Sequence, residues 1–249
     1  MNKIGLSFLP STLKELLKNI PSAAYHCADW KGLLLELKPL VQSLTKEFPK
    51  DQLASLEIYS PIPVSFEKTQ GSPATKKQGE LVLELYFSQL FNPKGLVIDL
   101  RQHHFGVLEN AELTWSPSKL WYRFDDSFRL SLIKLYRSFY KGESAAFESA
   151  LDEMGLTTGL NSVRKKELAA LFKTHFGEGG QGEIHFELAS FQESFINLFE
   201  FFATNKVFLF KDFVFLGVYL VSLYMNLDHI SEPLNVRSAF EVALERFDH

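Results

Sequence analysis

Asp99, His103 and His104 come closest, of all residues in this 249-residue chain, to a spacing that could do chemistry. A carboxylate and two imidazoles on one short segment form a donor set that suits a transition metal. Adjacent histidines in extended backbone point to opposite sides, so both reach one ion only if the chain turns between them. No further ligand at metal-binding spacing joins the set. On a metal-dependent reading, Asp99 is the catalytic group and His103 and His104 are the ligands. The competing expectation is that the two histidines are structural or face solvent.

Other motifs argue mainly by exclusion. Gly177-Glu178-Gly179-Gly180-Gln181-Gly182 fits the spacing G-x-G-x-x-G. A dinucleotide site needs a strand before such a loop and a helix opening at its last glycine. Here a helix is expected before it, and Glu178 and Glu183 would repel phosphate, so a flexible helix connector is expected. His26, His175, His185 and His229 stand alone and are expected at the surface or on a polar rim. Asp125 and Asp126 are expected to cap the next helix and to favour its dipole. The chain has no G-x-S-x-G, H-E-x-x-H or G-x-x-x-x-G-K-[ST] pattern. Its one cysteine, Cys27, rules out an internal disulfide and a cysteine-based zinc cluster. Net charge is −4, with no dominant basic patch, so nucleic acid is not an expected partner. The N-terminus lacks the long apolar core of a signal peptide, and the default expectation is a cytoplasmic protein.

The segments around these residues read as mostly helical. Apolar spacing predicts helices over 11–20, 30–48, 80–91, 128–140, 145–154, 163–176, 191–204, 213–227 and 235–247. Residues 56–66 contain Pro61 and Pro63 and read as an edge strand or extended arm. Residues 96–100 read as a short buried strand, with 112–115 as its pairing partner. Residues 69–79 lack any large apolar side chain and read as a flexible loop. The organisation expected is an N-terminal helical segment (1–68) packed on a helical main domain (80–249). The fold class is mainly α (α+β). The run 213–227 carries no charge but is short of the ~20 apolar residues a bilayer span requires. It is expected to be a buried core helix.

Phenylalanine is over-represented, at 24 residues. Phe195, Leu198, Phe199 and Phe202 recur at helical spacing, as do Leu216, Leu220, Leu223 and Leu227, so the two faces are expected to pack together. A planar or lipid-like ligand wedged between them would meet Phe199 and Phe202, with Tyr219, Tyr224 and Asn226 supplying polar groups. The alternative is a Phe-heavy core with no cavity.

Between 81 and 154 the chain resembles the UbiB/AarF atypical kinase-like family. Phe87-Ser88-Gln89-Leu90-Phe91 resembles a helix end that leads into the family's catalytic loop. Val97-Ile98-Asp99-Leu100-Arg101-Gln102-His103-His104 falls where that loop should be. Lys141-Gly142-Glu143 resembles a Gly-Asp turn, and Met154-Gly155-Leu156 a helix end. The resemblance implies a short hairpin, a kinase C-lobe-like helical core and Asp99 at the position of the base. It also puts His104 where the family has a metal-binding Asn, and Pro117 or Ser116 where it has a metal-binding Asp. Phosphoryl transfer depends on metal ions and a lysine placing the phosphates, so these departures imply a degenerate, inactive relative. The functional expectation is a non-catalytic, pseudokinase-like binding protein with no cofactor. Its partner would be a protein or an apolar, quinone- or lipid-like molecule, with possible peripheral membrane contact. The alternative is an enzyme of unrecognised type, with or without a metal, centred on Asp99, His103 and His104.

Overall fold

Periodic apolar stretches make this chain mainly α, with a few short antiparallel strand pairs. The computed structural model describes residues 10–44, 46–67, 70–71, 74–108, 112–177 and 182–248. The first elements are α1 (Ser11–Leu17), the single turn α2 (Ala24–Cys27), α3 (Trp30–Ser43) and α4 (Lys50–Tyr59). Next come β1 (Gln70–Gly71), α5 (Lys76–Phe91), β2 (Leu96–Val97), β3 (Phe105–Val107), β4 (Leu113–Trp115) and β5 (Trp121–Tyr122). The remainder is α6 (Asp126–Lys141), α7 (Ser144–Glu153), α8 (Ser162–His175), β6 (Glu183–Ile184), α9 (Leu188–Thr204), α10 (Lys211–Leu227), β7 (Leu234–Asn235) and α11 (Val236–Phe247).

α10 is the central element. Most of its side chains from Asp212 to Leu227 are buried, and α1, α3, α5 and α9 all pack on it. Its close approach to α9 depends on Gly217, where an added Cβ would lie 2.6 Å from the Phe195 ring. Phe195, Leu198, Phe199 and Phe202 share one apolar core with Leu216, Leu220, Leu223 and Leu227. Leu13 and Leu37, from the N-terminal helices, belong to that core too. No helix among the described residues is long and apolar enough to cross a membrane.

Several expectations are corrected. The segment 56–66 is not a single extended arm: α4 occupies Lys50–Tyr59, starting after Pro49. Ser55 on α4 donates to Asn92 Oδ1 at 2.7 Å, which docks the helix on the end of α5. Only the part around Pro63 is extended, where Trp115 N donates to Pro63 O and Ser65 N to Trp115 O, both at 2.9 Å. The helix expected over 30–48 stops at Ser43, whose hydroxyl reaches Leu40 O at 2.7 Å and Lys119 O at 2.6 Å. The loop expected over 69–79 gives residues from Lys76 onward to α5, because Thr75 caps that helix by accepting from Gln78 N. Residues 68, 69, 72 and 73 of the loop region lie outside the described residues.

Strand pairing differs as well. β2 pairs with β5, not with 112–115, and β4 pairs instead with β3. Gly95 makes the first pairing possible. Its φ is +130°, and a Cβ there would lie 2.6 Å from Tyr122 O. Asp125 stands at the start of α6, but its side chain caps nothing, whereas Asp126 in the first turn lies 3.6 Å from Arg129. Around the glycine loop the order is α8, loop, β6, the reverse of a dinucleotide-binding turn. Residues 178–181 lie outside the described residues.

Candidate functional site

The segment carrying Asp99 is held by the pairing of β2 with β5, continued by Ile98 N donating to Leu120 O at 3.0 Å, and by side chains of two helices. Val97 N donates to Gln89 Oε1 of α5 at 2.8 Å, and Leu100 N to Ser222 Oγ of α10 at 3.1 Å. Asn226 Nδ2 of α10 donates to Leu100 O at 2.6 Å. Two helices thus stretch the backbone across the core and turn Asp99 inward, where it is fully buried.

Arg101 lies two residues further on, so in extended backbone it projects to the same side as Asp99. Its Nε donates to Asp99 Oδ1 and its Nη2 to Oδ2, both at 2.8 Å, while its backbone N–H also reaches Oδ1 at 3.2 Å. This is a bidentate guanidinium–carboxylate fork, the strongest common geometry for the pair. Nη1 of Arg101 reaches outward to Glu15 of α1, which is mostly exposed. The residues between 101 and 105 form a 3₁₀ turn. That turn supplies the bend the adjacent histidines require. It brings His104 Nε2 to 3.1 Å from Asp99 Oδ2, off the line of a good hydrogen bond. His104 Nδ1 lies 3.1 Å from Ser116 O, and the His103 ring sits against it at 4.1 Å between centroids.

The electrostatics follow from this packing. Burial alone would raise the Asp99 carboxyl, but Arg101 and His104 outweigh it and hold the group well below the usual carboxylate range. Partial burial and the neighbouring His104 push His103 down. A general base has to titrate near the working pH and turn a lone pair toward substrate. Asp99 does neither, since both of its oxygens are taken by the Arg101 guanidinium.

The metal reading has geometry in its favour and charge against it. Ligand atoms of Asp99, His103 and His104 all lie within 4.8 Å of one another. A ring N–H of His104 aimed at the Ser116 carbonyl also suits a metal-ligating imidazole. Yet the Arg101 guanidinium already supplies a cation at the Asp99 oxygens, and a divalent ion there would face it directly. The expected result of metal analysis on purified protein is therefore no stoichiometric zinc, iron or manganese. Stoichiometric metal that disappears in His104→Ala would overturn this.

The residues expected to hold an apolar ligand are mostly core. Phe199, Phe202 and Tyr219 are fully buried. Tyr219 donates to Tyr86 O and accepts from Gln89 Nε2, each at 3.0 Å. Asn226 is committed to Leu100 O, although its Oδ1 has no partner among the described residues. Of the five, Tyr224 lines two cavities: one of about 40 Å³ shared with Tyr86, Tyr140 and His175, room for a few waters at most, and a more open one of about 430 Å³ shared with His175, Phe191 and Asn197. His175 is not at the surface as expected. It is buried against Phe191 and Phe195 with Nδ1 2.9 Å from Ser194 Oγ, and burial pulls it down to about 4.

Sequence reasoning missed Arg101 and Glu15. The Asp-x-Arg spacing was the available signal for Arg101, because alternation puts positions 99 and 101 on one side. Nothing local marked Glu15. Compared with models of known protein families and with curated proteins, the chain matches none.

Proposed function

We propose that this is a non-catalytic binding protein, pseudokinase-like in the sense of the UbiB/AarF resemblance, in which the Asp99 segment has become a structural clasp. The observation that carries the reading is the occupation of Asp99. The carboxylate at the position of the resembled family's base is fully buried and gripped by Arg101. In that resemblance His104 stands at one metal-ligand position and Pro117 or Ser116 at the other, and the two stretches are tied together, since Ser116 N donates to His104 O at 2.8 Å. Such an arrangement stabilises a loop and leaves no base or metal pair for phosphoryl transfer.

A protein partner suits the molecule better than an apolar small molecule. The Phe-rich interior between α9 and α10 is filled by its own side chains, whereas Phe208 and Phe210 are exposed beside each other on the connector between those helices. Exposed paired aromatics are the kind of side chain that anchors protein interfaces.

The test is thermal unfolding with millimolar ATP and magnesium, with ubiquinone analogues, and with fatty acids. No upward shift is expected from any of them. A ligand at a hundredfold excess over its Kd would add about 2.7 kcal/mol of stability, which such a scan resolves. A clear shift with ATP and magnesium would overturn the non-catalytic reading, and a shift with quinone or fatty acid would overturn the preference for a protein partner.

A further inference from the structure

Phe191 of α9 and Tyr224 of α10 stack at 4.1 Å, at the end of this helix pair away from the connector 205–210. The two cavities that meet there share His175, Ile184 and Tyr224. The inner one, about 40 Å³, is lined further by Tyr86, Tyr136 and Tyr140. The outer one, about 430 Å³, falls within the roughly 300–1,000 Å³ typical of ligand pockets.

The polar atoms around the inner cavity are unevenly satisfied. Tyr86 Oη and Tyr136 Oη bond to each other at 2.8 Å. The hydroxyls of Tyr140 and Tyr224 have no hydrogen-bond partner among the described residues, although Tyr140 is only 7% exposed. Unlike Asn226 Oδ1, neither oxygen is sealed from water. His175, 8% exposed, leaves its Nε2 open in the same way. Ser194 Oγ donates to Phe191 O at 2.9 Å, so its oxygen accepts from His175 Nδ1–H, also at 2.9 Å, and Nε2 keeps a bare lone pair.

These groups are uncharged at neutral pH. Burial pulls the His175 imidazole down to about 4 and pushes the Tyr140 and Tyr224 phenols up. Neither cavity has Lys or Arg among the described residues that line it, and Glu187 and Glu193 border the outer one. An anionic ligand therefore meets no countercharge. Buried polar atoms left open are costly unless something bonds to them. The group that satisfies this set must accept from a phenol O–H and donate to an imidazole nitrogen. A hydroxyl does both, whereas a carbonyl only accepts.

We propose that the joined cavities bind a neutral phenol. Its hydroxyl enters the inner cavity, accepts from Tyr140 or Tyr224, and donates to His175 Nε2. Its ring lies in the outer cavity beside Ile184, Phe191 and Tyr224. A free phenol and a tyrosine side chain of a partner protein both carry this chemistry. The inference goes beyond the readings of Asp99 and of Phe208 with Phe210, and shares no residue with either.

The experiment is calorimetric titration of the full chain at neutral pH with 4-methylphenol, 4-methylanisole, toluene, 4-methylbenzoate and the peptide acetyl-Gly-Tyr-Gly-amide. Saturable binding of 4-methylphenol is expected, with the other three small probes about tenfold weaker or worse because each loses hydrogen bonds or brings an uncompensated charge. Tyr140→Phe and Tyr224→Phe keep the ring and remove an unpartnered hydroxyl. Each should weaken 4-methylphenol by about fivefold, with toluene binding unchanged and the unfolding midpoint unchanged or raised. Tighter binding of the peptide than of 4-methylphenol would assign the site to a partner's tyrosine, and equal or weaker binding to a free phenol. No saturation by 4-methylphenol or the peptide, equal affinity for 4-methylphenol and toluene, tighter binding of the benzoate, or full binding by both variants would overturn the proposal. Should neither variant fold, the probe series alone decides it. A shift with ATP or ubiquinone analogues bears on the proposed function and not on this site, which a carbonyl does not satisfy.

Discussion

Asp99→Ala is expected to destabilise the protein by about 3–5 kcal/mol, the usual cost of removing one partner from a buried ion pair. The substitution leaves the Arg101 guanidinium, only 5% exposed, with its outer contact to Glu15 and nothing for Nε and Nη2. It also releases His104 and the backbone N–H of Arg101. Urea denaturation measures the loss, and a change below about 1 kcal/mol would mean that the clasp is not structural. The pH dependence gives an independent check. The folded-state pKa of Asp99 lies below its unfolded value of about 3.9. Its contribution is therefore fully present above that value and is lost as pH falls below it toward the folded value. Asp99→Asn, which keeps the shape and removes the charge, should lower stability at neutral pH and flatten the acid limb of the stability curve. An acid limb identical to that of the native chain would assign the acid sensitivity to other carboxylates.

Phe199→Ala is expected to cost about 3–5 kcal/mol, the range for removing a phenyl ring from a core that collapses only partly. The ring is fully buried and sits edge-on to Phe195 at 4.8 Å, with Phe213 at 6.1 Å and Phe202 at 6.4 Å. These T-shaped contacts add to the area lost from water. Truncation would open a void between α9 and α10, beside the contact between Gly217 and Phe195. The unfolding free energy by calorimetry or denaturant is the measurement. A near-neutral result would show that this face is not packed core, and would restore the possibility of a ligand between these helices.

Helical content and the burial of the Phe-rich helices were legible in the apolar periodicity of the chain. Amphipathic spacing is a local property, and it marked α5 through α11 to within a few residues. That residues 195–202 and α10 share one core could be read because both segments are apolar and joined by a short connector; the contacts of α9 fall on Phe213, Gly217 and Tyr224. α4 escaped notice because Pro61 and Pro63 pulled the reading toward an arm, while the helix ends two residues before the first of them. Pairing across distance was set in the folded state. Strand partners in this chain are two or three residues long, too short for alternation to specify a register. Gly95 and the side chains of Gln89, Ser222 and Asn226 chose between competing pairings instead. The candidate site followed the same rule. Asp99, His103 and His104 could be named from type and proximity, but their chemistry depended on Arg101 closing a fork, on a 3₁₀ turn redirecting His104, and on Glu15 arriving from α1. Those contacts join residues as far apart as positions 15 and 101. They arise from burial and charge in the folded state, where a carboxylate surrounded by donors becomes a structural tie rather than a base.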